Sequence, residues 1–340
     1  MRIYIIRRLL TMLPMFFVMT GVYFMLQNYL PGGPVQDMLQ RLRGSGDGGS
    51  ASSMTMDDMA KLKADLERQY GLDKPVPVRY WIWLGKITRL EFGDSTVTRR
   101  PALQVLVERI PISLGFGIPG FFLTYLVCIV LGVLKALKDG QPLDLASSSI
   151  LFVAYSIPPL VISVIALLVF CTDRVLPTAW FPLGGAYSDG FDTFTSWQKI
   201  KDYVWHMFLP VCASLLGSFT LLTMLMKNSM LDVLRSDYIR TAHAKGLSDQ
   251  IVVFKHALRN ALLPLMVGMG GILSAFVAGS IIIESVFGLP GMGILIIESL
   301  TSRDYNVLMA VAVIQSMVIM LGQLISDITY FLVDPRIEFK

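Results

Sequence analysis

Six stretches of the chain are predominantly apolar: 9–29, 112–134, 147–170, 204–226, 264–286 and 307–332, with Glu284 and Asp327 the only Asp, Glu, Lys or Arg inside them. A helix of about 20 apolar residues crosses the hydrocarbon core of a bilayer. The pattern therefore predicts an all-α, polytopic membrane protein with about six transmembrane helices. The spans contain Gly, Pro, Ser and Thr, which membrane helices tolerate when neighbours satisfy the freed backbone groups. Ser156-Ile157-Pro158-Pro159 predicts a kink in the third span.

The polar connections orient the spans. An inside N-terminus places 1–8, 135–146, 227–263 and 333–340 in the cytoplasm, with thirteen Lys and Arg, against four in the outside loops 171–203 and 287–306. Short inner loops carry that excess. The long segment 30–111 is left out, because long segments cross largely regardless of charge. The expected organisation is an N-terminal tip and first span (1–29), an extracytoplasmic segment (30–111), and a core of five spans (112–340) whose longest inner loop is 229–263. Both termini are expected inside. Met1–Arg8 ahead of an apolar run could open a signal peptide. However, the run is too long, and it ends in Leu30-Pro31-Gly32-Gly33-Pro34 rather than a small-x-small site. A retained first span is expected.

Within 30–111, residues 44–53 read as a flexible linker. Thr55-Met56-Asp57-Asp58 resembles a capping box. Met59, Leu62, Leu66 and Tyr70 follow at helical spacing, with Gly71 as C-cap, which predicts a short amphipathic helix. Leu72 to Trp83 suits an interfacial element or a partner-docking surface. In the loop 171–203, Asp189-Gly190-Phe191-Asp192 predicts a turn, and its acids lack the regular spacing of a calcium loop.

Composition agrees with the pattern. The chain is 54% hydrophobic and 16% charged with mean hydropathy +0.61, whereas soluble domains carry about 25% charged residues. A net charge of +4 without a basic, aromatic-interleaved run argues against a nucleic-acid partner. Cys128, Cys171 and Cys212 stand at no disulfide or zinc spacing and read as packing residues. His206, His243 and His256 have no ligand-spaced partner. No Gly-x-x-x-x-Gly-Lys-Ser/Thr loop, nucleophile elbow or His-Glu-x-x-His occurs, so no cofactor and no catalysis are expected, and energy for transport would come from partner subunits. No repeat is visible between 112–226 and 264–332, which disfavours an internally symmetric secondary transporter. Glu284, Asp327, Gln315 and Gln323 either touch solute or make interhelical contacts.

The informative loop runs from Asp237 to Pro264. A helix is expected over about 229–245, with Gly246 in the left-handed turn that ends it. Ser248 or Asp249 would cap a second helix reaching about Leu262, and Pro264 fits the first turn of the fifth span. Ala242 and Ala244 offer a small surface for close approach, and Arg240, Lys245, Lys255 and Arg259 supply charge. The loop reads either as a docking handle or as a basic loop held to anionic lipid.

Thr241-Ala242-His243-Ala244-Lys245-Gly246-Leu247-Ser248, followed by His256-Ala257-Leu258-Arg259-Asn260-Ala261-Leu262-Leu263-Pro264, resembles the signature loop of bacterial ATP-binding-cassette import permeases of the dipeptide/oligopeptide family. Further similar stretches are Ile3–Leu10, Tyr70–Pro75, Glu91–Ser95, Glu108–Pro111, Glu284–Gly293 (like the family's outer-gate loop) and Arg303–Tyr305. Trp197–His206, Leu222–Ser229 and Leu332–Phe339 resemble the Yej-type branch, its B subunit, although the linker 44–53 is shorter than that branch's usual insertion. The resemblance implies a type I importer permease fold and import of peptides or peptide conjugates, microcin C among them, across the bacterial inner membrane. It implies a second permease as heterodimer mate, two ATPase domains on the cytoplasmic side, a periplasmic peptide-binding protein and surrounding lipid. Asp237, Tyr238, Arg240, Thr241, Ala242, Ala244, Lys245 and Gly246 would form the coupling helix that sits in a cleft of the ATPase. Import of nickel or an oligosaccharide by the same machinery, or a secondary transporter, are the alternatives.

Overall fold

The fold is described from a computed structural model over residues 2–29, 74–268 and 279–333. The predicted linker 44–53, the amphipathic helix before Gly71, residues 269–278 of the fifth span and the C-terminal tail lie outside them. The described elements are helical: α1 (Arg2–Tyr29), α2 (Val76–Ile87), α3 (Ala102–Leu137), α4 (Pro142–Ser156), α5 (Pro159–Phe170), α6 (Ser196–Leu234), α7 (Asp237–Ala244), α8 (Asp249–Ile251), a π-helical stretch (Val252–Ala257), α9 (Leu258–Ala261), α10 (Leu263–Gly268), α11 (Ile281–Val286), α12 (Met292–Thr301) and α13 (Tyr305–Val333). Among the described residues the only β feature is an isolated bridge, Asp94 to Pro101.

Among the described residues, three stretches are long and apolar enough to cross a membrane: Ile6–Met25, Ala102–Leu137 and Tyr305–Thr329. Two bent pairs qualify if each counts as one span. Pro142–Ser156 and Pro159–Phe170 meet at 96°, so the expected kink is a break. Ile157 precedes a proline and is driven out of helical conformation (φ −90°, ψ 123°), while Pro159 starts the next helix. Ser196–Leu215 and Phe219–Leu234 meet at 56°. Capping by the expected turn is seen at Gly190 (φ 79°), which opens the short helix Phe191–Thr193.

The chain divides into two compact units. In the first (Met1–Arg8, Arg109–Leu295, Met317–Lys340), α3 and α6 lie in close contact. A Cβ at Gly115, Gly120 or Gly132 of α3 would strike Tyr203, Ser214 or Met226 of α6. Small residues give backbones that approach in lipid, where no hydrophobic drive pulls helices together. Cys171 is buried in an apolar cluster with Ile112, Phe116, Met207 and Phe287, the packing role expected of it.

In the second unit (Leu9–Glu108, Ile296–Ser316), the Trp-bearing α2 packs on α1. Tyr80 Oη lies 2.9 Å from Thr20 Oγ1, and the Phe24 ring meets Tyr80 and Trp83 at 5.5 and 5.4 Å. Trp81 remains 62% exposed, as an interfacial side chain would be. The same unit joins two of the motif stretches. Ser95 donates to Asp304 at 2.5 Å, and Asn306 donates to the Asp94 carbonyl at 2.7 Å.

Candidate coupling site

Helix α7 is a single short segment, set off from α6 at its start and closed at its C-terminal end. Its first residue follows Ser236, whose extended backbone (φ −75°, ψ 151°) stops α6 at Leu234 and separates the two helices. The continuous helix expected over 229–245 is thus two helices with a sharp joint. At the other end Gly246 takes φ +75°. Its N–H donates to the His243 carbonyl at 2.9 Å, and Leu247 N–H donates to the Ala242 carbonyl at 3.4 Å. These paired bonds form a Schellman closure, which needs the left-handed residue that glycine supplies.

One face of α7 is seated and the other is free. Ile239 and Ala242 are buried among Val133 and Ala136 of α3, Met226 and Met230 of α6, and Val252, Val253, Ala257 and Ala261 beyond the turn. Ala242 therefore belongs to the seat rather than to the outward surface expected of it. It lies three residues beyond Ile239, on the same side of the helix. Asp237, Tyr238, Arg240, Thr241, Ala244, Lys245 and Gly246 are exposed. Asp237 and Arg240 approach at 3.7 Å with 98% and 80% of their side chains exposed.

The second half of the loop supports the first. Residues 252–257 are π-helical rather than α-helical, and the wider turn lets Val252, Val253, Ala257 and Ala261 all face the seat. Asn260 Nδ2 donates to Tyr238 Oη at 2.8 Å, which ties the free face of α7 to α9. Ser229 donates to the Ala261 carbonyl (2.8 Å) and Tyr125 to the Leu265 carbonyl (3.2 Å), fastening the loop to α6 and α3. Lys255 and Arg259 are exposed, and so are Ile251 (44%) and Phe254 (64%). Pro264 falls in the first turn of α10, as expected.

Beside the seat lies a group of charges that periodicity did not reveal. Lys135, in the last turn of α3, is 0% exposed. Its Nζ reaches Asp144 Oδ1 (3.1 Å), the Asp144 carbonyl (3.0 Å), Ser147 Oγ (2.9 Å) and Ser148 Oγ (2.6 Å). Asp144 Oδ2 also receives Lys227 Nζ of α6 at 2.7 Å and the Gly140 N–H at 3.1 Å. Lys227 bridges on to Asp139 at 2.8 Å. Asp144 lies in the first turn of α4, ahead of the apolar run from about Ser147. In the sequence Lys135 and Lys227 read as inner-loop charges. The signal in the sequence was an acid and two serines opening the helix that follows a lysine-terminated one.

The acidic residues of the spans prove to be contacts between elements. Glu284 is 0% exposed. It accepts from Ser113 Oγ (2.8 Å), Ser280 N–H (3.2 Å) and Ile294 N–H (2.9 Å), while Ser113 accepts from Met292 N–H (2.8 Å). Gly279, Gly291 and Gly293 close round it; a Cβ at Gly279 or Gly291 would strike the carboxylate, and one at Gly293 would strike the Ile281 backbone nitrogen. Asp327 pairs with Arg8 at 2.9 Å, and Gln323 accepts from Arg8 at 3.4 Å.

Helical spans throughout, a broken span and a self-contained loop seated at the helix ends define an all-α polytopic membrane protein. Residues 128–339 match the family described as the inner membrane component of binding-protein-dependent transport systems, and the chain belongs to that family. It is 34% identical over 359 residues to the peptidoglycan transport system permease protein YejB of Agrobacterium fabrum, covering 99% of this chain and 98% of that one. It is 35% identical over 361 residues to the inner membrane ABC transporter permease protein YejB of Escherichia coli O157:H7, covering 99% of each. It is 34% identical over 343 residues to the oligopeptide transport system permease protein AppB of Bacillus subtilis, covering 100% of each.

Proposed function

We propose that this chain is a non-catalytic, membrane-spanning subunit of an ATP-driven importer of peptides or peptide-bearing conjugates in the bacterial inner membrane. The observation that carries it is the build of α7. One face is locked into the helix bundle, the other is exposed, and the C-terminal end is closed by its own backbone. Such an element moves with the bundle and presents a fixed surface to a partner. The free face is Asp237, Tyr238, Arg240, Thr241, Ala244, Lys245 and Gly246, and the partner is an ATPase subunit on the cytoplasmic side. Ala242 serves from behind, in the seat. Exposed Tyr238, Ile251 and Phe254 among basic side chains supply the apolar anchors that interface centres use. The substrate class follows the relatives, whose names give oligopeptide transport and peptidoglycan transport; both cargoes contain peptide.

The complete machine would hold a second permease, two ATPase domains and a binding protein on the outer side, with both termini of this chain in the cytoplasm. ATP and the loaded binding protein bias an alternating-access equilibrium through their different affinities for its two states. Gly246→Pro tests the reading. Proline cannot take φ +75°, so α7 loses its closure while the spans are untouched. The expected result is normal membrane insertion with loss of ATP-dependent peptide uptake and of ATPase co-purification. Unchanged uptake would refute the coupling role.

A further inference from the structure

The buried charges beside the seat have no part in the reading above, and they sit where helices that carry α7 meet one that does not. α3 contributes Val133 and Ala136 to the seat and Lys135 to the charge group; α6 contributes Met226 and Met230 to the seat and Lys227 to the charge group. No residue of α4 belongs to the seat cluster. At this level α4 is bound to α3 and α6 by the Asp144 carboxylate, and α4 leads directly into the 96° break before α5.

A lysine at a helix end ordinarily extends its stem and leaves the ammonium in water. Lys135 is instead fully enclosed, with four oxygens of the first α4 turns around its Nζ. Enclosing an ammonium is costly unless charge and hydrogen bonds offset it. What the arrangement gains over apolar packing is direction. Charge-assisted hydrogen bonds fix the rotation and register of a helix, where methyl groups allow sliding. The two lysines approach Asp144 through different oxygens, Oδ1 for Lys135 and Oδ2 for Lys227, so the carboxylate spans α3 and α6 at once.

We infer that Asp144 is a positioning residue that passes displacement of the α7 seat to the broken α4–α5 helix pair, by serving as common counter-ion to Lys135 and Lys227. This rests on the coupling role proposed for α7. Without the carboxylate, α3 and α6 still carry α7, but α4 no longer follows them in fixed register.

The test uses the full importer in proteoliposomes, with its ATPase subunits, its second permease and its binding protein, and tritiated trialanine as probe. The readout is peptide imported per ATP hydrolysed. In Asp144→Asn this ratio is expected to fall about tenfold while hydrolysis continues, a loss within the usual range of coupling between sites. Asp144→Glu, which restores the charge, should recover most of it. A purely structural role would instead lower uptake and hydrolysis together, in proportion to the complex assembled, and that result or an unchanged ratio overturns the inference. Should Asp144→Asn fail to assemble, Lys227→Gln removes only the partly exposed arm; an unchanged ratio there overturns the inference, and a partial fall supports it. Failure of the underlying reading looks different: the unmodified assembly would show no ATP-dependent uptake.

Discussion

Asp144 and Glu284 are both buried, 3% and 0% exposed, and both hold elements together in the same unit, but they are satisfied by opposite means. Asp144 faces two ammonium groups and one backbone N–H. Glu284 faces a serine hydroxyl and backbone N–H groups, with three glycines admitting the chain close enough to donate. The first arrangement needs charges on three separate helices, and losing the carboxylate strands Lys135. The second is a cradle of fixed dipoles, most of them from the loop on either side of the carboxylate, so it braces α11 and the start of α12 against α3 and holds without any counter-ion. One sequence thus contains an ionic joint and a neutral brace.

The difference can be broken by substitution, beginning with the largest effect. Asp144→Ala leaves Lys135 enclosed without its partner and should destabilise the protein by about 3 kcal/mol, the lower end for half of a buried pair because Lys227 keeps Asp139. SDS-titration unfolding in mixed micelles measures it, and a second substitution, Lys135→Met, should recover part of the loss. Glu284→Gln should cost about 2 kcal/mol by the same measurement, since an amide NH2 would then face a donor where an acceptor is required. No cation is stranded there, so no cationic-site substitution should rescue it. Ser113→Ala should cost about 1 kcal/mol, removing one donor to Glu284 and the acceptor of Met292 N–H. The smallest effect is that of salt. Raising ionic strength from about 0.1 to 1 M should weaken the Asp144 group by a few tenths of a kcal/mol, through its exposed Lys227–Asp139 arm, and leave the Glu284 cradle unmoved. Equal salt sensitivity of Asp139→Asn, which removes that arm, and the unmodified protein would erase the distinction.

Much of the fold was legible along the chain. The first, second and last apolar runs are the three long helices, and the third breaks at its double proline. Gly246 ends its helix in the left-handed conformation that the sequence suggested. Ala242 was misread, because alanine is small enough to suit either a docking surface or a packed seat. The joint at Ser236 and the π turns at 252–257 were not visible, since the residues there favour helix and only the demands of packing Val252, Val253, Ala257 and Ala261 together decide the form.

What the sequence determined by itself was local: the apolar lengths that suit a bilayer, the backbone stops at Pro158-Pro159 and Gly246, and the family to which the motifs point. The tertiary structure alone decided the pairings. Lys227 meets Asp144 across 83 residues, and Ser113 meets Glu284 across 171. In a soluble helix the polar stripe shows which side faces the core. In these spans lipid and protein interior are both apolar, so the pattern does not mark the faces, and a buried charge finds its meaning only when distant helices are brought to it.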